Sequence, residues 1–271
     1  MTVLVTGGTG LVGSRLLKRL VEAGIETRGL VRAGKELPPG VTTVEGDILD
    51  PATLPVALEG VSDVIHLAAL FRTADEDAVW RVNLDGTRNL VAAIERHGPD
   101  ARVVMASTSN VYGAELTHPA TESDPTSPWA AYPASKIEAE KHLAASGLTW
   151  SILRLPFVYG DQDGHLEALP KMAAERGWHP ARRQSMAHHA DIATAFLLAL
   201  TGATDGRIVN IADESSLSIY EIAQLVGEPY PSSDEPLVTP WQGQVDASLA
   251  RSLGFRASLP SAYAAVREGR M

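Results

Sequence analysis

Short apolar runs alternate with stretches of helical periodicity along the first two-thirds of the chain. Val3, Leu4 and Val5 form an apolar run that stops at Gly7 and Gly8, after which Leu16, Leu17, Leu20 and Val21 recur at helical spacing. Ala23-Gly24 ends that helix, and Glu26 to Val31 reads as a second strand. Val41 to Glu45 predicts a third strand, with Asp50 and Pro51 opening a helix behind it. Val61 to Leu67, nearly continuous in apolar residues, predicts a fourth strand buried on both faces. A helical pattern from Trp80 to His97, carried by Val82, Leu90, Val91 and Ile94 and closed by Gly98-Pro99, leads to a fifth strand over Arg102 to Ala106. Strand and helix in alternation predict an α/β fold on a parallel sheet.

Farther on, Ile137 to Ala145 reads as a helix, and Ile192 to Leu200 as an apolar helix capped by Asp191. Gly206 to Ile211 contains a strand placed in the same parallel sheet. Ser218 and Glu221 have capping-box spacing and open a helix through Val226, whereas Pro229 to Pro240 reads as a loop. The expected organisation is a dinucleotide-binding domain over residues 1–160, rejoined by 188–212. Residues 161–187 and 213–271 then form a smaller substrate lobe over the carboxyl edge of the sheet.

Composition narrows the partners. Of 271 residues 45% are hydrophobic and 21% charged, as in an ordinary globular protein, and the formal net charge of −10 argues against nucleic acid or an anionic membrane surface. No apolar stretch approaches membrane-spanning length, and there is no cysteine for disulfides or thiolate chemistry. The first core strand stands where a signal peptide would need a basic segment and a cleavage site, so a cytoplasmic protein is expected.

The candidate chemistry begins at the opening turn. Gly8, Gly10 and Gly13 fit the spacing in which glycines permit a tight turn and let a pyrophosphate approach the backbone at a helix N-terminus. At the end of the second strand there is no acid, but Arg32 stands there with Lys35 close behind, which favours NADP over NAD unless Arg32 is simply a solvated loop charge. Asp47 is placed to accept from an adenine amino group, and Ala68-Ala69 leave backbone room for a ligand. His66, inside a strand, reads as a satisfied core histidine, and Asp75-Glu76-Asp77 as a solvated acidic stretch. Trp178 and Trp241 read as buried packing before pocket lining. His188-His189 with Asp191 do not make a metal site, because adjacent side chains diverge and no further ligands are evident.

The hydroxyl cluster Ser107-Thr108-Ser109-Asn110 ends the fifth strand, at the edge where open parallel sheets bind ligands. Tyr132 and Lys136 stand four apart on a helix and share a face, so an ammonium can stabilise the phenolate of a tyrosine whose ordinary pKa is near 10.

These segments together resemble the extended short-chain dehydrogenase/reductase superfamily, in its NAD(P)-dependent epimerase/dehydratase branch. The resemblance rests on Thr6 to Gly13, Gly46-Asp47, His66 to Ala69, Asn83 to Thr87, Ser107 to Gly113, Tyr132 to Lys136, Arg154-Leu155-Pro156 and Val158-Tyr159-Gly160, in family order over most of residues 1–160. It implies a Rossmann-type doubly wound sheet with a smaller C-terminal lobe. It also implies Thr108 as the hydroxyl that binds the substrate oxygen, with Ser107 and Ser109 close enough to dispute the register. Tyr132 is implied as general acid/base, and Lys136 as its activator and a ligand of the nicotinamide ribose. The implied cofactor contacts begin at Gly7, Thr9, Gly10, Leu11 and Val12. They continue through Arg32, Asp47 and Ile48, then Leu67, Ala68, Ala69 and Asn83, and reach the nicotinamide at Pro156 and Val158.

The implied activity is hydride transfer at a hydroxyl or ketone carbon of a sugar, nucleotide sugar or small carbonyl compound, by an epimerase or a reductase. A homodimer through the helices holding Leu90 and Ile137 is also implied. Thr108-Ser109-Asn110 replaces the Thr-Asp-Glu of the sugar-nucleotide dehydratases, which counts against dehydration. Gln184-Ser185 stands where diphosphate-sugar enzymes often carry Arg-Asp, with Arg182 and Arg183 just before it. The alternative, a non-catalytic cofactor-binding module, fits poorly with retention of Tyr132, Lys136 and Thr108.

Overall fold

Seven parallel strands carry the molecule, and the computed structural model describes residues 1–271. The strands are β1 (Thr2–Thr6), β2 (Glu26–Val31), β3 (Thr42–Glu45), β4 (Asp63–His66), β5 (Arg102–Thr108), β6 (Thr149–Leu155) and, later in the chain, β10 (Arg207–Asn210). Their order is β10-β6-β5-β4-β1-β2-β3, so the chain leaves β1 in one direction and returns past it in the other. That reversal opens a crevice beyond the carboxyl ends of the strands.

Alternation along the strands feeds two cores. Val3 and Val5 face the layer holding α1 (Leu11–Glu22) and α7 (His189–Leu200), where Leu16, Leu17 and Phe196 are buried. Leu4 points the other way, toward α2 (Leu54–Leu58), α4 (Gly86–His97) and α5 (Ala131–Ala144), with Leu54, Leu90, Ile94 and Leu143. A third core, containing Tyr159, Leu166, Met186, Ile219 and Leu259, belongs to the later segments. There β7 (Phe157–Tyr159) pairs with β9 (Met186–His188), β8 (Arg183–Gln184) pairs with β11 (Leu217–Ser218), and α6 (His165–Glu175) packs on α8 (Ile219–Val226). Two short helices, α9 (Ser248–Ser252) and α10 (Ala262–Arg267), follow.

Several local expectations are met. The capping box forms: Glu221 N donates to Ser218 Oγ (3.1 Å), Ser218 N donates to Glu221 Oε2 (2.7 Å), and Gly227 closes α8 in the left-handed region. Others change. The helix read from Trp80 begins earlier, as α3 (Glu76–Trp80), where Asp75 Oδ1 accepts from Ala78 N (2.9 Å), so Asp75 is a cap as well as a solvated acid. It then passes through one widened turn, Arg81–Asp85, before α4. α7 starts at His189 and is capped by His188, whose Nδ1 accepts from Ala190 N (3.0 Å). Asp191 does not cap it. Its carboxylate accepts from Ser258 N (2.6 Å), Ser258 Oγ (2.7 Å) and Leu259 N (3.2 Å), fastening the C-terminal segment to α7.

At the amino ends of the strands, Arg102 of β5 donates to Asp63 at the start of β4 (3.1 Å) and, through Nε and Nη2, to Asp205 just before β10 (2.8 and 3.1 Å). No helix is long and apolar enough to cross a membrane.

Candidate active site

A cavity of about 960 Å³ opens beyond the carboxyl ends of the strands, running from the opening glycine turn to Trp241. At one end Gly7, with φ of +73°, lies flat on the chain after β4, and a Cβ there would come within 2.6 Å of Ala68 N. Gly10 N donates to Gly7 O (3.0 Å), and a Cβ on Gly13 would collide with that same carbonyl. α1 therefore begins hard against the turn, with no side-chain cap and no acid in its first turn. Its first N–H groups have no intrahelical partner and face a cavity lined by Gly10, Leu11, Val12 and Gly13, a cradle suited to a pyrophosphate. These residues fit a dinucleotide.

His66 is buried between two hydroxyls, with Nδ1 2.7 Å from Thr6 Oγ1 and Nε2 2.9 Å from Thr87 Oγ1. Burial and the Lys136 charge push its pKa down to about 3, so it remains neutral, the satisfied core histidine expected.

Of the remaining expected cofactor contacts, Leu67, Ala69, Pro156 and Val158 line the cavity, whereas Thr9, Arg32, Asp47, Ile48, Ala68 and Asn83 stand outside its lining. Arg32 is exposed beyond β2. Asp47 Oδ1 accepts from Leu49 N (2.9 Å), and Ile48 is buried against Gly86. Asn83 is buried with its amide fully engaged: Oδ1 accepts from Leu70 N (2.7 Å), and Nδ2 donates to Leu70 O (3.1 Å) and Ser135 Oγ (3.0 Å). It braces the cavity wall against α5.

Thr108, Tyr132 and Lys136 all reach the cavity. β5 runs two residues past Ala106, so Ser107 and Thr108 belong to the strand and their side chains alternate across the sheet. Ser107 Oγ donates to Glu140, and the Thr108 hydroxyl, which accepts from Asn110 N (3.2 Å), stands beside the Tyr132 phenol. Tyr132, in the first turn of α5, also packs on Phe71, ring centroids 4.4 Å apart.

The expected electrostatics differ in one respect. Burial pushes the Tyr132 phenol up to about 12, opposed by the Thr108 hydroxyl and not by Lys136. Lys136 is itself only 2% exposed, and burial lowers its pKa to about 8 against the pull of Glu140. Burial is the dominant influence on Tyr132, so the phenol holds its proton at neutral pH.

The cavity wall differs in part from what the sequence favours. Trp178 and Trp241, expected to be packing, form part of the cavity wall, joined by the exposed Trp129. Arg182 stacks on Trp178 with its guanidinium carbon 3.9 Å from the ring centroid, and Arg176 lies over the same ring at 5.7 Å. Both are cavity residues. Only Arg182 adjoined a recognisable motif, because the pocket is assembled from positions tens of residues apart. His189 Nε2 lies 2.8 Å from Asp163 Oδ2, while His188 is spent as a cap, and no three metal-ligating side chains cluster.

Residues 3–212 match the model of the NAD dependent epimerase/dehydratase family. The chain belongs to this family. As an extended short-chain dehydrogenase/reductase it is an NAD(P)-dependent oxidoreductase or epimerase by class. Its relatives include a 4-hydroxy-2-methyl-3-oxo-4-farnesyl-3,4-dihydroquinoline-1-oxide ketoreductase of Stigmatella aurantiaca, 30% identical over 97% of this chain and 84% of the relative. Another is the UDP-glucose 4-epimerase of Streptomyces lividans, 29% identical over 93% and 88%. Among solved structures, the Thermus thermophilus UDP-glucose 4-epimerase in complex with NAD superposes with a TM-score of 0.77 at 26% identity, covering 96% of this chain and 94% of that one.

Proposed function

We propose that this family member uses Tyr132 as general acid/base, Thr108 to orient the substrate oxygen and Lys136 to support Tyr132 and hold the nicotinamide ribose. The observation that carries the reading is the convergence of these three side chains on the cavity that begins at the pyrophosphate cradle. The bound nicotinamide supplies or accepts the hydride; the chain's own residues manage the oxygen and its proton. In the reducing direction the phenol, protonated when the site is buried, passes its proton to the oxygen of the forming alcohol while Thr108 holds that oxygen in line. In the oxidising direction the step runs in reverse, and Tyr132, present as the phenolate left by giving up its proton, takes the proton from the hydroxyl.

The substrate class is a sugar, nucleotide sugar or small carbonyl compound. Arg176 and Arg182, stacked on Trp178 with no carboxylate within 4.0 Å of either, favour one that carries an anionic group. The later segments, 161–187 and 213–271, make the lobe that reads it. NADP is the proposed cofactor, on the strength of Arg32 and the absence of an acid at the end of β2. The resemblance to the family extends the proposal to a homodimer.

Tyr132→Phe is the deciding variant. Cofactor binding is expected to stay near wild type while turnover falls at least ~100-fold, the low end for a lost acid–base group. The assay screens nucleotide sugars and small ketones with NADPH and NADH. Steady loss of reduced-nicotinamide absorbance marks a reductase, and conversion without net change marks an epimerase. Full turnover by the Phe variant removes the assignment.

A further inference from the structure

A buried charged network lies directly behind Lys136. Glu140, one helical turn farther along α5, is itself buried, and both of its carboxylate oxygens are engaged. Arg154 of β6 donates from Nε to Oε1 (3.1 Å) and from Nη2 to Oε2 (2.6 Å), and Ser107 of β5 donates to Oε1. Arg154 Nη1 in turn donates to the Tyr112 hydroxyl (2.8 Å), Tyr112 donates to Asn210 Oδ1 at the end of β10 (2.8 Å), and Asn210 Nδ2 donates to Ala120 O (3.0 Å). The ends of three adjacent strands are thereby tied to one carboxylate.

Stability alone is a poor reason for such an arrangement. Desolvating a carboxylate and a guanidinium costs about as much as their attraction returns, and a well-packed apolar replacement is commonly as stable or more so. What an apolar plug would lack is a fixed negative charge one turn from a buried ammonium, together with an acceptor that holds Ser107.

We propose that Glu140 is a positioning residue for the reaction: it keeps the Lys136 ammonium charged inside the wall of the cavity. By binding Ser107 it also turns the next residue, Thr108, toward Tyr132. The other polar groups packed about this part of α5 do not take over that task. His66 of β4 is neutral, the Tyr132 phenol is protonated, the Asn83–Ser135 pair carries no charge, and the one other ion, Arg154, is a cation already bound to Glu140. Glu140 is also the group that opposes the lowering of the Lys136 pKa by burial. The inference rests on the roles proposed above for Tyr132, Thr108 and Lys136.

The test needs no substrate. The full-length protein, carrying lysine labelled with ¹³C at Cε, is titrated by NMR with and without NADP, and the Lys136 resonance is identified by its loss in Lys136→Met. The wild-type midpoint is expected at about 8. Glu140→Gln is expected to lower it by about one pH unit or more, a tenfold loss of proton affinity, and Glu140→Asp to restore most of that. Arg154→Gln, which leaves Glu140 unneutralised, is expected to raise it.

An unchanged midpoint in a Gln variant whose far-UV circular dichroism is native would overturn the proposal. If that variant does not fold, the Arg154→Gln titration decides: a rise upholds the coupling, and no change or a fall overturns it. The outcome is separable from the catalytic reading. A shifted lysine alongside a fully active Tyr132→Phe would sink the roles assigned to the pair and leave the coupling standing.

Discussion

Arg32 stands exposed just past β2, at the strand end that faces the adenosine ribose in this fold, and no carboxylate lies within 4.0 Å of it. A guanidinium in that place matches a 2′-phosphate through paired N–H donors, and a glutamate would repel the phosphate while accepting from a free ribose hydroxyl. Arg32→Glu is therefore expected to weaken NADPH binding ~10-fold or more and to leave NADH binding unchanged or improved, as read by nicotinamide fluorescence titration. Equal losses for both cofactors would remove the NADP preference. The same scale shows how burial governs the site. Tyr132 and Lys136 are moved in opposite directions by desolvation, each toward its neutral form.

Among the elements, α7 and the turn after β10 bring Asp191 and Asp213 close together. Asp213 is buried, with Oδ1 accepting from Ser215 N (3.2 Å) and Oδ2 lacking a partner. Burial above all, with Asp191 and Glu214 adding repulsion, pushes its pKa up to about 8 from an ordinary 3.8. The folded chain thus holds a proton there that the unfolded chain releases. The contribution of this carboxyl to stability therefore falls as pH rises from about 4 to about 8. Asp213→Asn keeps the shape without the charge. Thermal unfolding of this variant is expected to flatten across that window and to exceed wild type at pH 8, by about 2–4 °C for each kcal/mol recovered. An unchanged pH dependence would count against the buried carboxyl.

Elements whose determinants are local could be read from the sequence: the glycine turn with α1 behind it, the Ser218–Glu221 box, and β10 as a returning strand. Elements that answer to distant partners could not. Nothing near His188 announces that an imidazole will cap α7 while Asp191 is drawn away to Ser258. Asn83 offers an amide that the sequence assigns to a cofactor, but Leu70 and Ser135 claim it first. The cleft shows the same division. Thr108, Tyr132 and Lys136 were legible from motif and spacing, whereas the facing wall of Trp178, Arg182 and Trp241 depends on how the lobe folds back.

Across the whole molecule, the two expected dimer markers lie inside the subunit. Leu90 and Ile137 are 1% and 6% exposed. A homodimer through α4 and α5 would therefore be carried by their outer positions, such as Ala92, Glu95 and Lys141, which are exposed. Light scattering is expected to give twice the subunit mass, and a monomeric mass at micromolar concentration would dismiss the arrangement. Arg19 of α1 holds Asp161 of the later segments at 2.7 Å, so the helix beneath the pyrophosphate cradle is also joined to the chain that forms the opposite wall.

The buckle that Arg102 makes with Asp63 and Asp205 lies at the far side of the sheet from all of this. Durability and reactivity are thus lodged at opposite poles of one scaffold. Loops at the upper pole of this chain can therefore be exchanged without loosening the clasp at its base.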